Sequence, residues 1–113
     1  MKESGDSSAG LLIIWEYQVR RDSRTKFEST YAPKGPWAAL FRKGEGYIRT
    51  EFWRDPQNEL GYCTLDFWTC RAAYEAFKEQ HASEYKIIDQ QCEFLTEKET
   101  LIGYFEAVPS AGE

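Results

Sequence analysis

The segment Leu60–Glu79, LGYCTLDFWTCRAAYEAFKE, constrains this chain more than any other. It reads as a strand running directly into an amphipathic helix, because a period of two gives way to a stripe of period 3.6. In the strand half, Cys63, Leu65 and Phe67 alternate with Tyr62, Thr64, Asp66 and Trp68. One face is wholly apolar, and the other mixes aromatic rings with hydrogen-bonding groups. Such a strand suits a sheet whose oily side packs under helices and whose other side meets water, a second subunit or a ligand. In the helix half, Cys70, Ala73, Tyr74 and Phe77 share one face, and Thr69 can cap the first turn.

Three more strands follow from the same periodicity. Residues Leu11–Arg20 alternate Ile13, Trp15, Tyr17 and Val19 with Ile14, Glu16, Gln18 and Arg20. Residues Gly46–Asp55 alternate Ile48, Thr50 and Phe52 with Tyr47, Arg49, Glu51 and Trp53. The turn Asp55-Pro56-Gln57-Asn58 has type I chemistry and joins this strand to the next as a hairpin. The last strand, Glu99–Val108, admits either parity, with Tyr104 and Glu106 the more polar choice. Helices fall between. Asp22 or Ser23 can cap one carrying Phe27 and Tyr31, a short one spans Trp37–Lys43 after Pro33, Gly35 and Pro36, and Ser83 can cap one with Tyr85, Ile88, Cys92 and Leu95. The order βαββαβ predicts a ferredoxin-like α+β fold, a four-stranded antiparallel sheet with helices on one face. Residues 11–108 form one domain, and the Gly/Ser/charged segments 1–10 and 109–113 are expected to be disordered tails.

A net charge of −5 and a pI near 5.0 argue against nucleic acid or an anionic membrane as partner. The three cysteines, Cys63, Cys70 and Cys92, are odd in number and lack paired spacing, so neither a disulfide framework nor a metal site is expected. The short apolar run Leu11–Trp15 is neither a signal core nor a membrane span, and a cytoplasmic location is the expectation. His81, the lone histidine, falls at a helix end and reads as a cap or surface residue.

The elements W-x-Y-x-V (Trp15, Tyr17, Val19), F-E-x-x-Y (Phe27, Glu28, Tyr31) and G-x-W-x-x-L-F (Gly35, Trp37, Leu40, Phe41) recur in a known pattern. They are followed by Y-x-T-L-D-x-W (Tyr62, Thr64, Leu65, Asp66, Trp68) and A-Y-x-x-F (Ala73, Tyr74, Phe77). Over residues 11–108 the chain resembles the dimeric α+β barrel superfamily, and most of all its antibiotic-biosynthesis monooxygenase-like domains. The resemblance implies a homodimer in which two sheets face each other, no bound cofactor, and a small aromatic or quinone-like substrate. It also places Trp68 where members carry a Trp bordering the pocket.

With Cys63, Leu65 and Phe67 under the helices, Tyr62, Asp66 and Trp68 face the other way, alongside Arg49, Glu51 and Trp53 of the preceding strand and Glu16 of the first. A candidate cleft therefore lies on the open sheet face. Asp66 is the expected general base with Glu51 second, and burial would raise either carboxyl toward neutrality. Arg49 and Tyr62 could polarise a phenolate or carboxylate, since an enzyme without cofactor must stabilise its substrate's own anion. Glu16 and Tyr104 complete the expected substrate-binding set. Solvated or mutually paired charges, a purely structural Trp68, and an Asp66 that holds a neighbouring Arg are the bland alternatives. Function divides accordingly between a cofactor-independent monooxygenase and a non-catalytic dimer that binds a small molecule or serves structure alone.

Overall fold

Alternation of large apolar residues at odd positions gives β1 (Leu11–Val19), whose Leu11, Ile13, Tyr17 and Val19 are buried. A 3₁₀ turn at Arg21–Ser23 leads into α1 (Arg24–Tyr31), and α2 (Pro36–Phe41) follows. β2 (Tyr47–Arg54) and β3 (Gly61–Trp68) form the hairpin, α3 (Arg71–Gln80) and α4 (Ala82–Cys92) come next, and β4 (Thr96–Glu106) closes the chain. The structure is a computed structural model and describes residues 10–109. The expected tails lie outside the described residues except at their inner ends. Gly10 is held there, its carbonyl accepting from Ala107 N at 2.9 Å.

The four strands form one antiparallel sheet in the order β2-β3-β1-β4, and the fold is the expected ferredoxin-like α+β arrangement. β1 and β3 are central and pair without interruption, from Leu11 opposite Trp68 to Gln18 opposite Gly61. Bulges interrupt the edges. Ile48 is the extra residue of β2, and Ile102 and Glu97 are the extra residues of β4. The bulge at Ile102 resolves the open parity of β4: Tyr104 lies opposite Ile13 on the helix side, and Phe105 lies opposite Leu12 on the open side.

Two caps differ from expectation. Thr69 stands one residue ahead of the α3 cap position, Cys70, because its backbone N–H is committed to Gly46 O at 2.7 Å. Ser83 lies inside α4, whose cap position is His81. The turn between α1 and α2 needs Gly35, since a Cβ there would fall 2.5 Å from the carbonyl oxygens of Ser29 and Thr30. Pro36 then opens α2 with its fixed φ and brings Trp37 inward.

The largest departure concerns β3, which is turned over relative to the sequence reading. Tyr62, Thr64, Asp66 and Trp68 lie beneath the helices and are buried, whereas Cys63, Leu65 and Phe67 are half-buried on the open face. The register leaves no other choice: Asp66 pairs with Ile13 and Thr50, and Leu65 with Ile14 and Glu51. Burial area explains the preference. Tyr62 and Trp68 carry far more surface than Cys63 and Leu65, and under the helices they join a layer of rings. In that layer Tyr62 stacks on Phe52 at 5.4 Å, and Trp68 packs on Phe77 and Tyr74 at 5.1 and 5.4 Å.

Candidate functional site

The aromatic layer between sheet and helices does not close completely. It encloses a cavity of about 310 Å³, and the sheet supplies its floor through Trp15 and Tyr17 of β1, Thr50 of β2, Thr64 and Asp66 of β3, and Glu99 of β4. Tyr31 of α1 and Trp37 and Phe41 of α2 form one wall, and Lys78, Tyr85 and Asp89 of α3 and α4 form the other. Aromatic walls with convergent polar groups are a common composition for a small-molecule site, and this volume falls at the small end of the range.

Asp66 is the buried charge on the floor, with 7% of its surface exposed. Among the described residues its carboxylate has one hydrogen-bond partner, Thr50, whose Oγ1 donates to Oδ1 at 2.6 Å. Loss of hydration dominates over that bond and pushes the Asp66 carboxyl up from its ordinary 3.8 to about 6. Beside it, Tyr17 and Thr64 join hydroxyls at 3.0 Å. Burial also raises the tyrosine hydroxyls around the cavity, Tyr85 to about 12 and Tyr17 and Tyr31 further, so all three are neutral donors at ordinary pH. The indole N–H groups of Trp37 and Trp68 are buried without a hydrogen-bond partner among the described residues.

The rim has its own charge pattern. Asp89 and Glu99 stand there as carboxylates, and Glu99 accepts from Thr96 Oγ1 at 3.1 Å. Desolvation holds the Glu99 carboxyl above its usual range despite that bond, and Asp89 adds repulsion. Lys78 is the cation of the set, its Nζ 4.9 Å from the Tyr85 ring centre and 5.7 Å from that of Tyr74.

The expected site residues are divided between two faces. Asp66 lines the cavity. Trp68 is beneath the helices but fully buried among Phe41, Tyr47, Tyr74 and Phe77, and it does not line the cavity. Tyr62 is also on the helix side, where its hydroxyl donates to Glu28 Oε2 at 2.5 Å and accepts from Arg24 Nε at 3.2 Å. Tyr104 lies outside the cavity, 6.1 Å from Tyr74 and under the Arg71 guanidinium at 4.8 Å. Arg49, Glu51 and Glu16 occupy the open face and share no site with Asp66. Arg49 lies 3.9 Å over the Phe67 ring and donates through Nε and Nη2 to Glu51, which also accepts from Trp53 Nε1 at 3.1 Å. Glu16, opposite Cys63, borders a separate groove of about 410 Å³ at the hairpin end of the sheet. The expected cleft on the open face, lined jointly by Arg49, Asp66 and Trp68, is thus replaced by one on the other side of the sheet.

Thr50, Thr64, Tyr17, Trp37 and Tyr85 were not expected as site residues. For the first two the signal was available in principle: Thr50 sits in the middle of an otherwise apolar register, with Thr64 and Asp66 in the next strand. Among the described residues no three His, Cys, Asp or Glu side chains converge as a metal-binding group, and no helix is long and apolar enough to cross a membrane.

No protein-family model matches the chain, and neither does any curated protein. Solved structures do. A single-residue variant of SnoaB, a cofactor-independent oxygenase from Streptomyces nogalater, superposes with a TM-score of 0.73 at 20% identity, covering 92% of this chain and 98% of that one. A provisionally assigned antibiotic biosynthesis monooxygenase from Bordetella bronchiseptica gives a TM-score of 0.72 at 13% identity, covering 89% and 99%. A conserved protein from Bacteroides thetaiotaomicron, described as a possible oxidoreductase, gives 0.62 at 22% identity, covering 89% and 99%. At these identities the likeness is one of fold, and the α+β fold that the resemblance implies is the one these structures share.

Proposed function

We propose that the cavity binds a small aromatic or quinone-like substrate and that the protein is a cofactor-independent monooxygenase with Asp66 as its general base. One observation carries this reading: a carboxylate buried at a cavity, with a single hydrogen-bond donor and a pKa of about 6, is poised to take a proton near neutral pH. The fold shared with SnoaB supports the same chemistry.

In this scheme Asp66 removes the proton of a phenolic hydroxyl, and the resulting phenolate is the electron donor. The ring carbon para to that oxygen forms a bond to one atom of O₂, giving a hydroperoxide. The ring hydrogen at that carbon leaves as a proton while the O–O bond breaks and hydroxide departs, the two leaving together as one water and the ring remaining as a quinone. One oxygen atom stays in the product, the other leaves as water, and every electron comes from the substrate. Tyr17, Tyr31 and Tyr85, all neutral, supply hydroxyl groups that can stabilise the anion in the cavity. Trp68 backs the wall through its edge contact with Phe41 at 6.0 Å.

The second part of the proposal is a homodimer through the open sheet face. That face presents Leu12, Ile14, Leu65 and Phe67 half-buried and Trp53 and Phe105 exposed, apolar side chains that a second copy could cover. Arg49, Glu51 and Glu16 then serve the interface. A non-catalytic dimeric binder of the same fold is the alternative.

The deciding experiment is oxygen uptake by the purified protein with a panel of phenols, naphthols and anthrones and no added metal or cofactor. Turnover in the wild type, lost in Asp66→Asn with ligand binding kept, is the expected result. Binding without oxygen consumption across the panel would favour the alternative.

A further inference from the structure

The cavity's charge runs against the anionic ligand that a guanidinium at the site would have suited. Arg49 is on the other side of the sheet, and among the described residues no arginine lines the cavity. Among the described residues that line it, Asp66, Asp89 and Glu99 outnumber Lys78. Asp66 lies on the floor of the cavity, and Asp89 and Glu99 are exposed at its rim. A carboxylate oxygen of Asp66 has no hydrogen-bond donor among the described residues, though the residue is more than nine-tenths buried. That oxygen opens on the cavity, where water or the donor group of a ligand can reach it.

The walls answer to the same chemistry. Trp15, Trp37 and Tyr85 present electron-rich rings, and a cation over such rings is attracted by their quadrupoles. Lys78 shows that the arrangement tolerates a cation, since its ammonium already rests near the rings of Tyr74 and Tyr85. Building on the function proposed above, we infer that the cavity selects aromatic substrates bearing a protonated amine, with the hydroxyl toward Asp66 and the ammonium at the rim between Asp89, Glu99 and Tyr85. Substrates bearing a carboxylate are excluded by the same groups, because a second anion beside them costs both repulsion and desolvation.

Three ligands that share a ring and differ in tail charge test this: tyramine, the neutral alcohol tyrosol, and 4-hydroxyphenylacetate. Binding to the wild-type protein is read by quenching of tryptophan fluorescence and by calorimetry. The expected order is tyramine tighter than tyrosol by roughly tenfold, with 4-hydroxyphenylacetate weakest. In Asp89→Asn/Glu99→Gln, both exposed positions, tyramine should lose roughly tenfold more affinity than tyrosol, which erases its advantage. Equal binding of tyramine and tyrosol, tighter binding of the acid, or an undiminished amine preference in the double variant would overturn the inference and leave the aromatic cavity standing. Failure of all three ligands to bind would overturn the inference, whereas the function on which it rests stands or falls by the oxygen-uptake panel of phenols, naphthols and anthrones.

Discussion

Thr50 Oγ1 donates to Asp66 Oδ1 at 2.6 Å from the directly opposite position on the neighbouring strand, and Tyr47 OH lies 2.7 Å from the same Oγ1. A threonine hydroxyl has one hydrogen, so once it is given to Asp66 the bond to Tyr47 must run the other way. The result is a directed chain, Tyr47 to Thr50 to Asp66, that begins at a half-buried ring and ends on the buried carboxylate. It is what keeps the Asp66 carboxyl from rising further.

Thr50→Val should therefore raise the Asp66 pKa above about 6, while Thr50→Ser should leave it near the wild-type value. Carbon-detected NMR titration of the side-chain carboxyl reads this directly and needs no substrate. An unmoved pKa in Thr50→Val would mean the bond does not set the carboxyl's protonation.

Asp66 also imposes a pH dependence on stability. Its folded pKa of about 6 exceeds the ordinary 3.8, so the native state binds the proton more tightly than the unfolded chain. Stability from this group is greatest at pH below 4, declines as pH rises from about 4 to 6, and stays low above that. The full difference is about 3 kcal/mol. Asp66→Asn should flatten this dependence and be more stable than the wild type at pH 8, measured by urea denaturation across the pH range. A variant less stable at pH 8 would show that the charge is compensated by something other than Thr50.

Trp68 is a core residue in this structure, and its substitution should act on stability first. Trp68→Ala is expected to cost about 3–5 kcal/mol. Trp68→Phe should cost less, because it keeps an aromatic ring and removes an N–H buried without a partner. Ligand affinity of the folded fraction should change little in Trp68→Phe. A large loss of binding with stability intact would instead make the indole part of the cavity wall.

The open sheet face gives a prediction about assembly. Leu65→Asp places a carboxylate in the middle of the apolar surface and should yield a monomer in sedimentation velocity, with far-ultraviolet circular dichroism unchanged. Arg49→Ala, at a site already shielded by Glu51, should have a much weaker effect. A wild-type protein that sediments as a monomer would remove the homodimer from the proposal.

The sequence is legible here wherever one period dominates. β1, the hairpin, and the stripe of Tyr74 and Phe77 on α3 stand where alternation and 3.6-residue spacing put them. The parity of β3 is not legible in that way. Rules that send the oilier face to the helices assume one covered side, but both faces of this strand carry large hydrophobic groups. The deciding quantity is ring size at Tyr62 and Trp68, along with room for Thr64 and Asp66 beside a cavity. The bulges at Ile48, Glu97 and Ile102 are likewise invisible to a strict period of two. Arg49 and Glu51 lie on the side of β2 that its alternation predicts, and the turned neighbour β3 separates them from Asp66.

On β3, adjacent residues serve opposite sides of the sheet: Leu65 and Phe67 belong to the outward surface, and Asp66 between them belongs to the cavity. Successive positions along eight residues therefore answer to two unrelated selective demands, one for a surface that can be covered and one for a chamber that can be entered. A single-residue insertion at the hairpin would exchange the two sets at once, putting Asp66 on the oily exterior and Leu65 and Phe67 in the chamber. The strand can drift in composition at each position, but its phase relative to β1 is fixed for as long as both demands hold.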